Sequence, residues 1–250
     1  MALSIPHFTT TGIGQKLRVL LADDSLELQA LIRFYLHGTH YHVDIVSNGA
    51  QAVAAFQAEP FDLVLIDQHM PGMDGFTATR LIRAWESSTQ RSSVPILALT
   101  ANTISEANEQ SRTAGCTAFL AKPITKTQLL TALHTHCTTS PTTIATTTQG
   151  KNFADVSASI EAELLQRRPL FLDNRRKDLD KMRHAAAQED CETIRTMGHR
   201  MKGLAGSYGF PDIGLAGERL EQAAVARDLT SVRREIDQLA AILARISQAA

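Results

Sequence analysis

Five short apolar runs, each followed by an amphipathic stretch, fill the first half of the chain. The runs are Leu17–Ala22 (LRVLLA), Val43–Val46, Leu63–Ile66, Ile96–Leu99 and Ala118–Ala121. Each is dominated by Val, Ile, Leu or Ala and bounded by polar or turn residues. Runs that are apolar on both faces suit the strands of a buried parallel sheet. Between them, Leu28, Leu31, Ile32, Tyr35 and Leu36 form one apolar stripe at helical spacing, and Ala50–Ala58, Phe76–Trp85, Ser105–Ala114 and Lys126–His136 repeat that grammar. Strand then helix, five times over, predicts an α/β fold: a doubly wound, five-stranded parallel sheet with right-handed crossovers. Such sheets bind ligands beyond the carboxyl ends of their strands.

The grammar then changes. Thr138–Gln149 (TTSPTTIATTTQ) is dominated by threonine, has no helical or strand period and contains Pro141; this composition reads as a linker. Beyond it no strand-like run remains. Helical stripes run through Ile160–Leu165, Phe171–Ala187, Cys191–Tyr208, Ile213–Ala226 and Val232–Ile246, punctuated by Gly209-Phe210-Pro211 and Asp228-Leu229-Thr230. This half predicts an all-α antiparallel bundle of four or five helices. The expected organisation is a flexible N-terminus (1–16), an α/β domain (17–137), a Thr-rich linker (138–152) and a helical bundle (153–250).

A chain of 250 residues is long enough for both domains. Its formal net charge of -1 gives no electrostatic case for a nucleic-acid or anionic-membrane partner. Three cysteines (Cys116, Cys137 and Cys191) stand far apart with no metal-binding spacing, which suits a reducing compartment. No apolar stretch approaches the length of a membrane span. These features set the expectation of a cytoplasmic protein without direct membrane insertion.

Chemistry-bearing residues gather at the predicted strand ends. Asp23 and Asp24 follow the first strand, Asp67 the third; Thr100 ends the fourth, and Lys122 follows the fifth just before Pro123. Three carboxylates in one crevice repel one another unless a cation neutralises them. Hard oxygen ligands with incomplete protein coordination suit Mg²⁺, which favours phosphate as a further ligand. One carboxylate could then attack phosphorus and form an acyl phosphate. The segments VLLADDS, LVLIDQHMPGMDG, ILALTAN and AFLAKP closely resemble the response-regulator receiver family over about Leu17–Cys137. The resemblance implies that Asp67 is the phosphoacceptor and that Asp23 and Asp24 bind magnesium, with a further ligand from the carbonyl of His69. It implies that Thr100 and Lys122 sense the phosphoryl group, that Phe119 is the switch aromatic moving with Thr100, and that the Lys122–Pro123 bond is cis. Gln68 and His69 depart from many relatives, and the resemblance implies that residues near His69 and Asn102 influence the lifetime of the acyl phosphate.

In the second half, Ile194, Met197, Met201, Leu204 and Tyr208 form one stripe at three- and four-residue spacing. His199 lies two residues from Met201, about 200° round a helix at roughly 100° per residue, so it is expected to point to solvent. Lys202, Gly203, Gly206 and Ser207 follow on its face. Two glycines on an exposed helix suggest a surface that another protein approaches closely, since each costs up to about 1 kcal/mol against alanine. The stretch HRMKGLAGSYG, followed by IGLAGERLEQAA, resembles the histidine phosphotransfer (HPt) family over about Phe153–Ile246. Lys202 would then attract the incoming phosphoryl group, with Gly203, Gly206 and Ser207 docking the partner.

Together the resemblances imply a two-component phosphorelay protein whose partners are a histidine kinase and other receiver domains. No Gly-rich ATP-binding segment is recognised, so phosphorylation from ATP within this chain is not expected. Two alternatives stand beside the relay: a phosphorylation-gated binding protein, and the C-terminal part of a hybrid histidine kinase.

Overall fold

A computed structural model describes the backbone over 16–101, 104–137 and 153–248, and the side chains over 16–101, 109–137 and 165–248. Residues 1–15 of the expected flexible N-terminus (1–16) and the Thr-rich linker lie outside the described residues.

The first half alternates β1 (Leu17–Ala22), α1 (Leu26–Leu36), β2 (Tyr41–Val46), α2 (Gly49–Ala58), β3 (Leu63–Asp67), α3 (Gly75–Ser88), β4 (Ile96–Thr100), α4 (Ile104–Ala114), β5 (Ala118–Ala121) and α5 (Lys126–Cys137). The five strands form one sheet in the order β2-β1-β3-β4-β5. β1 pairs in parallel with both β2 and β3, with Ala22 opposite Val46 and Ile66. The expected doubly wound α/β sheet is therefore present. Leu20, Ala22, Val64 and Ile66 pack with Ala52, Phe56, Ala78 and Ile82 of α2 and α3. The alternating residues Val19, Leu21, Leu63 and Leu65 are equally buried, so both faces of the central strands are covered.

Local signals start the helices. Ser25, Asn48 and Asp74 cap α1, α2 and α3, each side chain accepting a backbone N–H three residues on. α2 meets the turn before α3 closely at Gly49, whose amide donates to the Met73 carbonyl (3.2 Å). A Cβ at Gly49 would lie 2.6 Å from that oxygen.

The second half contains α6 (Phe153–Ala187), α7 (Cys191–Leu204), a 3-10 turn (Ala205–Tyr208), α8 (Pro211–Val225) and α9 (Leu229–Gln248). Two of the expected stripes, Ile160–Leu165 and Phe171–Ala187, fuse into the single helix α6, which runs through Pro169. Proline removes one backbone hydrogen bond there, yet buried side chains such as Phe171, Leu179 and Met182 beyond it hold the helix to the bundle. The expected single helix Cys191–Tyr208 instead tightens into the 3-10 turn after Leu204. That turn ends at Gly209 in the left-handed region (φ 80°), followed by Pro211 in the first turn of α8. Asp190 and Asp228 start α7 and α9 by accepting the amides of Thr193 and Ser231 (both 3.0 Å). Among the described residues no helix is long and apolar enough to cross a membrane.

By contact the chain divides into two units. One runs to Ala98 and takes in Ser111–Ala118. The other comprises Leu99–Gln110 and everything from Phe119 onward, so the end of the sheet is grouped with the helices.

Candidate functional site

The first unit holds an acidic cluster. Asp23 and Asp24 lie in the turn from β1 to α1 and Asp67 is the last residue of β3. One carboxylate oxygen from each lies within 4.8 Å of the others. Asp23 is fully buried and Asp67 is 2% exposed, whereas Asp24 is half-buried. The backbone builds this arrangement. The Asp23 amide donates to the Val46 carbonyl (3.2 Å), extending the β1–β2 ladder by one residue. Its carbonyl accepts from Gln29 Nε2 (2.6 Å), and its Oδ1 accepts the Ser25 amide (2.8 Å). The turn is thereby fixed with its carboxylates at the strand ends.

Gly75 holds the other side. Its amide donates to the Gln68 carbonyl (3.1 Å), and a Cβ there would overlap the Asp67 carbonyl. The start of α3 thus lies directly against the backbone that carries Asp67. The sequence contained this clue in the MDGF turn, but the closeness of the approach belongs to the fold. His69 is half-buried one residue beyond Gln68.

Three clustered carboxylates, two of them buried, have a high mutual repulsion that only a cation or protons can relieve. The donor set is all oxygen and negatively charged, and it fits a hard divalent cation such as Mg²⁺ better than a soft metal.

In the second unit, Thr100 ends β4 and is buried. The Lys122 amide donates to the Thr100 carbonyl (2.7 Å), which locks the two residues side by side beyond β4 and β5. The Lys122–Pro123 bond is cis, as the resemblance implied. Phe119 lies half-buried in β5.

The helical site differs from expectation at its centre. His199 is 8% exposed, not solvent-facing. The helical wheel placed it correctly away from the Met201 stripe, but it could not foresee how closely α8 approaches. Gly198 and Gly217 bring the two backbones together: a Cβ on Gly198 would stand 2.7 Å from the Gly217 carbonyl oxygen, and the reverse distance is also 2.7 Å. At that separation Glu221, one turn further along α8, reaches His199. Glu221 Oε1 lies 2.8 Å from His199 Nδ1. A carboxylate only accepts, so Nδ1 is the donor in this contact. Lys202 pairs with Glu218 (2.9 Å) and lies 3.8 Å from Glu221. Gly203 is buried, and Gly206 and Ser207 belong to the 3-10 turn, not to α7 itself. Glu218, Glu221, Gly198 and Gly217 were not singled out from sequence. The i, i+3 spacing of Glu218 and Glu221 was visible, but which helix face they serve was not.

Comparison with known proteins gives two domain matches. Residues 19–134 match the family model of the response regulator receiver domain, and residues 168–249 match that of the Hpt domain. The chain belongs to the two-component signalling proteins as a receiver–Hpt fusion. Over 244 residues it is 33% identical to the sensor protein GacS of Pseudomonas syringae pv. syringae, an alignment covering 88% of this chain and 26% of that protein. It is 26% identical to the sensory/regulatory protein RpfC of Xanthomonas campestris pv. campestris, covering 90% of this chain and 33% of that protein. The chain therefore spans about a quarter to a third of the length of these relatives. Among solved structures it is similar to the receiver domain of a Pseudomonas aeruginosa sensor histidine kinase with a magnesium ion in its active-site cleft (35% identity, TM-score 0.44, covering 49% of this chain and 98% of that chain).

Proposed function

We propose that this chain relays phosphoryl groups between aspartate and histidine. The observation that carries the reading is the convergence of the Asp23, Asp24 and Asp67 carboxylates at the ends of β1 and β3. Asp67 attacks phosphorus in line, its new O–P bond forming as the donor's bond to phosphorus breaks. Asp23, Asp24, Asp67 and the His69 carbonyl would hold Mg²⁺, which supplies neutralisation of charge on the phosphoryl oxygens. Lys122 places an ammonium group, and Thr100 a hydroxyl, at neighbouring strand ends for those oxygens. Phe119 follows the movement of Thr100.

His199 is the second carrier. Nε2 forms the N–P bond while the Asp67 acyl-phosphate bond breaks and the carboxylate is regenerated. N–P bond formation puts positive charge on the ring, and Glu221 at Nδ1 offsets it. Lys202 offers a further cation beside the reacting atoms. The phosphoryl donors and acceptors are a histidine kinase and other receiver domains, in the cytoplasm. The same domain matches fit a segment of a hybrid histidine kinase, where the two carriers would serve the same chemistry.

The test is intact-mass spectrometry after treatment with acetyl phosphate and Mg²⁺, on the natural chain and on Asp67→Asn and His199→Gln variants. An alkali-labile adduct that vanishes in Asp67→Asn, with an acid-labile one that vanishes in His199→Gln, is the expected result. No adduct on the natural chain would sink the relay reading.

A further inference from the structure

His199 is 8% exposed, so a phosphoryl group joined to its ring meets the surrounding side chains at close range. Two cations flank it on α7. Lys202 follows by one turn, and Arg195 precedes by one turn, at the i, i+4 spacing that brings helical side chains within reach of each other. Side chains on a helix lean back toward its N-terminus, which sets the imidazole over the turn that carries Arg195.

The two cations are held differently. Lys202 Nζ lies 2.9 Å from Glu218 and 3.8 Å from Glu221, and its side chain is 22% exposed. Moving it away takes the cation from two carboxylates, one of which is the Glu221 that faces His199. Arg195 makes a forked pair with Glu192 instead, Nε to Oε2 at 3.0 Å and Nη2 to Oε1 at 2.6 Å. That carboxylate is 72% exposed and the Arg195 side chain 35%. Exposed ion pairs hold weakly, because water and salt screen them and ordering two long side chains costs entropy. A phosphoryl group carries more charge than a carboxylate and accepts the same two-pronged donation, so it competes well for this guanidinium. The charge of Glu221 also reaches Arg195. Hydrogen bonding to Glu192 raises the Arg195 pKa, burial opposes that, and the Glu221 charge raises it further. Arg195 therefore stays charged within the field of the carboxylate that contacts His199.

We propose that Arg195 is the guanidinium that binds the phosphoryl oxygens on His199, and that Glu192 holds it in place between transfers. The inference rests on the relay reading given above and adds to it a residue that touches the phosphoryl group at the histidine. In the transfer step the Nε2 lone pair attacks phosphorus and the N–P bond forms. The donor's bond to phosphorus breaks, and its electron pair leaves with the donor. Arg195 neither gives nor takes a proton; it exchanges the Glu192 carboxylate for phosphoryl oxygens. Lys202, tied to Glu218 and Glu221, adds its charge from a fixed place.

The experiment uses the full chain carrying Asp67→Asn, so that no acyl phosphate at Asp67 contributes, with phosphoramidate as the donor. Quenched intact-mass time courses follow His199 in this chain and with Arg195→Ala, Arg195→Lys or Glu192→Gln added. Proton–nitrogen NMR of the Arg195 Nε–H follows the guanidinium as His199 is phosphorylated, and separately as orthophosphate is titrated into the unphosphorylated chain. Urea midpoints check that each variant is folded.

Arg195→Ala should slow His199 phosphorylation by about tenfold, the loss of one charge-assisted contact discounted for its exposure. Arg195→Lys should recover part of that loss, since lysine keeps the charge but not the fork. Glu192→Gln frees the guanidinium and should speed phosphorylation, with a urea midpoint close to that of the parent chain. The Arg195 Nε–H signal should shift when His199 is phosphorylated. An unchanged rate in Arg195→Ala overturns the proposal. So does a Glu192→Gln rate that falls along with that of Arg195→Ala, the result a purely structural pair would give. If His199 takes no phosphate in any chain, the relay reading fails, and the orthophosphate titration decides the site: a saturating shift of the Arg195 Nε–H supports it, and an unmoved signal removes it.

Discussion

At His199 the 2.8 Å contact between Nδ1 and Glu221 fits the Nδ1–H tautomer, in which Nε2 would be the nucleophile of the proposed relay. In the proposed relay Glu221 acts through the imidazole, as a positioning residue. Glu221→Ala should slow transfer to His199 by roughly ten- to a hundredfold, since a hydrogen bond to a charged group contributes roughly 1.5–3 kcal/mol. Glu221→Gln, whose side-chain oxygen can still accept from Nδ1, should recover most of the rate. Nitrogen NMR of the His199 ring separates this from simple unfolding: the natural chain should show the Nδ1–H tautomer, and Glu221→Ala a mixture of both. An unchanged tautomer ratio together with unchanged transfer would remove Glu221 from the mechanism. Asp67 poses the complementary case, because its position is dictated by backbone. Gly75 lies against its carbonyl, so Gly75→Ala should both destabilise the domain and depress Asp67 phosphorylation, measured together by urea unfolding and mass spectrometry.

Elements here are held by caps and by close helix contact. Gly198 and Gly217 let α7 and α8 touch backbone to backbone. Gly217→Ala forces the helices apart, and overpacking of this kind costs about 1–3 kcal/mol; the urea midpoint should fall correspondingly, and the Glu221–His199 contact should lengthen. The N-caps of α7 and α9 add a pH dependence. The Thr193 hydroxyl and amide hold the Asp190 carboxyl below the usual carboxylate range, and the Ser231 hydroxyl and amide do the same for Asp228. A carboxyl whose folded-state value is depressed stabilises the fold above its unfolded value, about 3.9, and that stability is lost as pH falls through the folded value. Bundle stability should therefore decline on acidification below about pH 4, and Asp190→Asn should flatten part of that decline in urea midpoints taken across the acid range. At the α3 cap, burial raises Asp74, but the Thr77 amide and hydroxyl and the nearby Arg80 outweigh it and leave the carboxyl low. The same sign holds there.

At the scale of the chain, the sheet holds an acidic cluster and the bundle a buried imidazole, and the sequence reads as lacking a Gly-rich ATP-binding segment. ATP and Mg²⁺ alone should leave the intact mass unchanged, while acetyl phosphate or a phosphorylated kinase partner should add one phosphoryl group to the receiver. An adduct from ATP alone would require a phosphoryl-binding site of another kind.

The sheet was legible in the sequence because burial on both faces leaves an unmistakable composition. β1 and β5 begin and end where their apolar runs do, and β3 and β4 differ only by gaining Asp67 and Thr100, the polar residues that close them. The clustering of Asp23, Asp24 and Asp67 was legible too, because strand ends in a doubly wound sheet converge whatever the helices do. The bundle was less so. Pro169 and the change from α7 into a 3-10 turn depend on packing that no local propensity encodes. The burial of His199 was hidden for the same reason: helical periodicity gives the direction of a side chain from its own axis but not the distance of the next helix. Two glycines, Gly198 and Gly217, set that distance, and only the fold brings them opposite one another so that Glu221 meets the histidine.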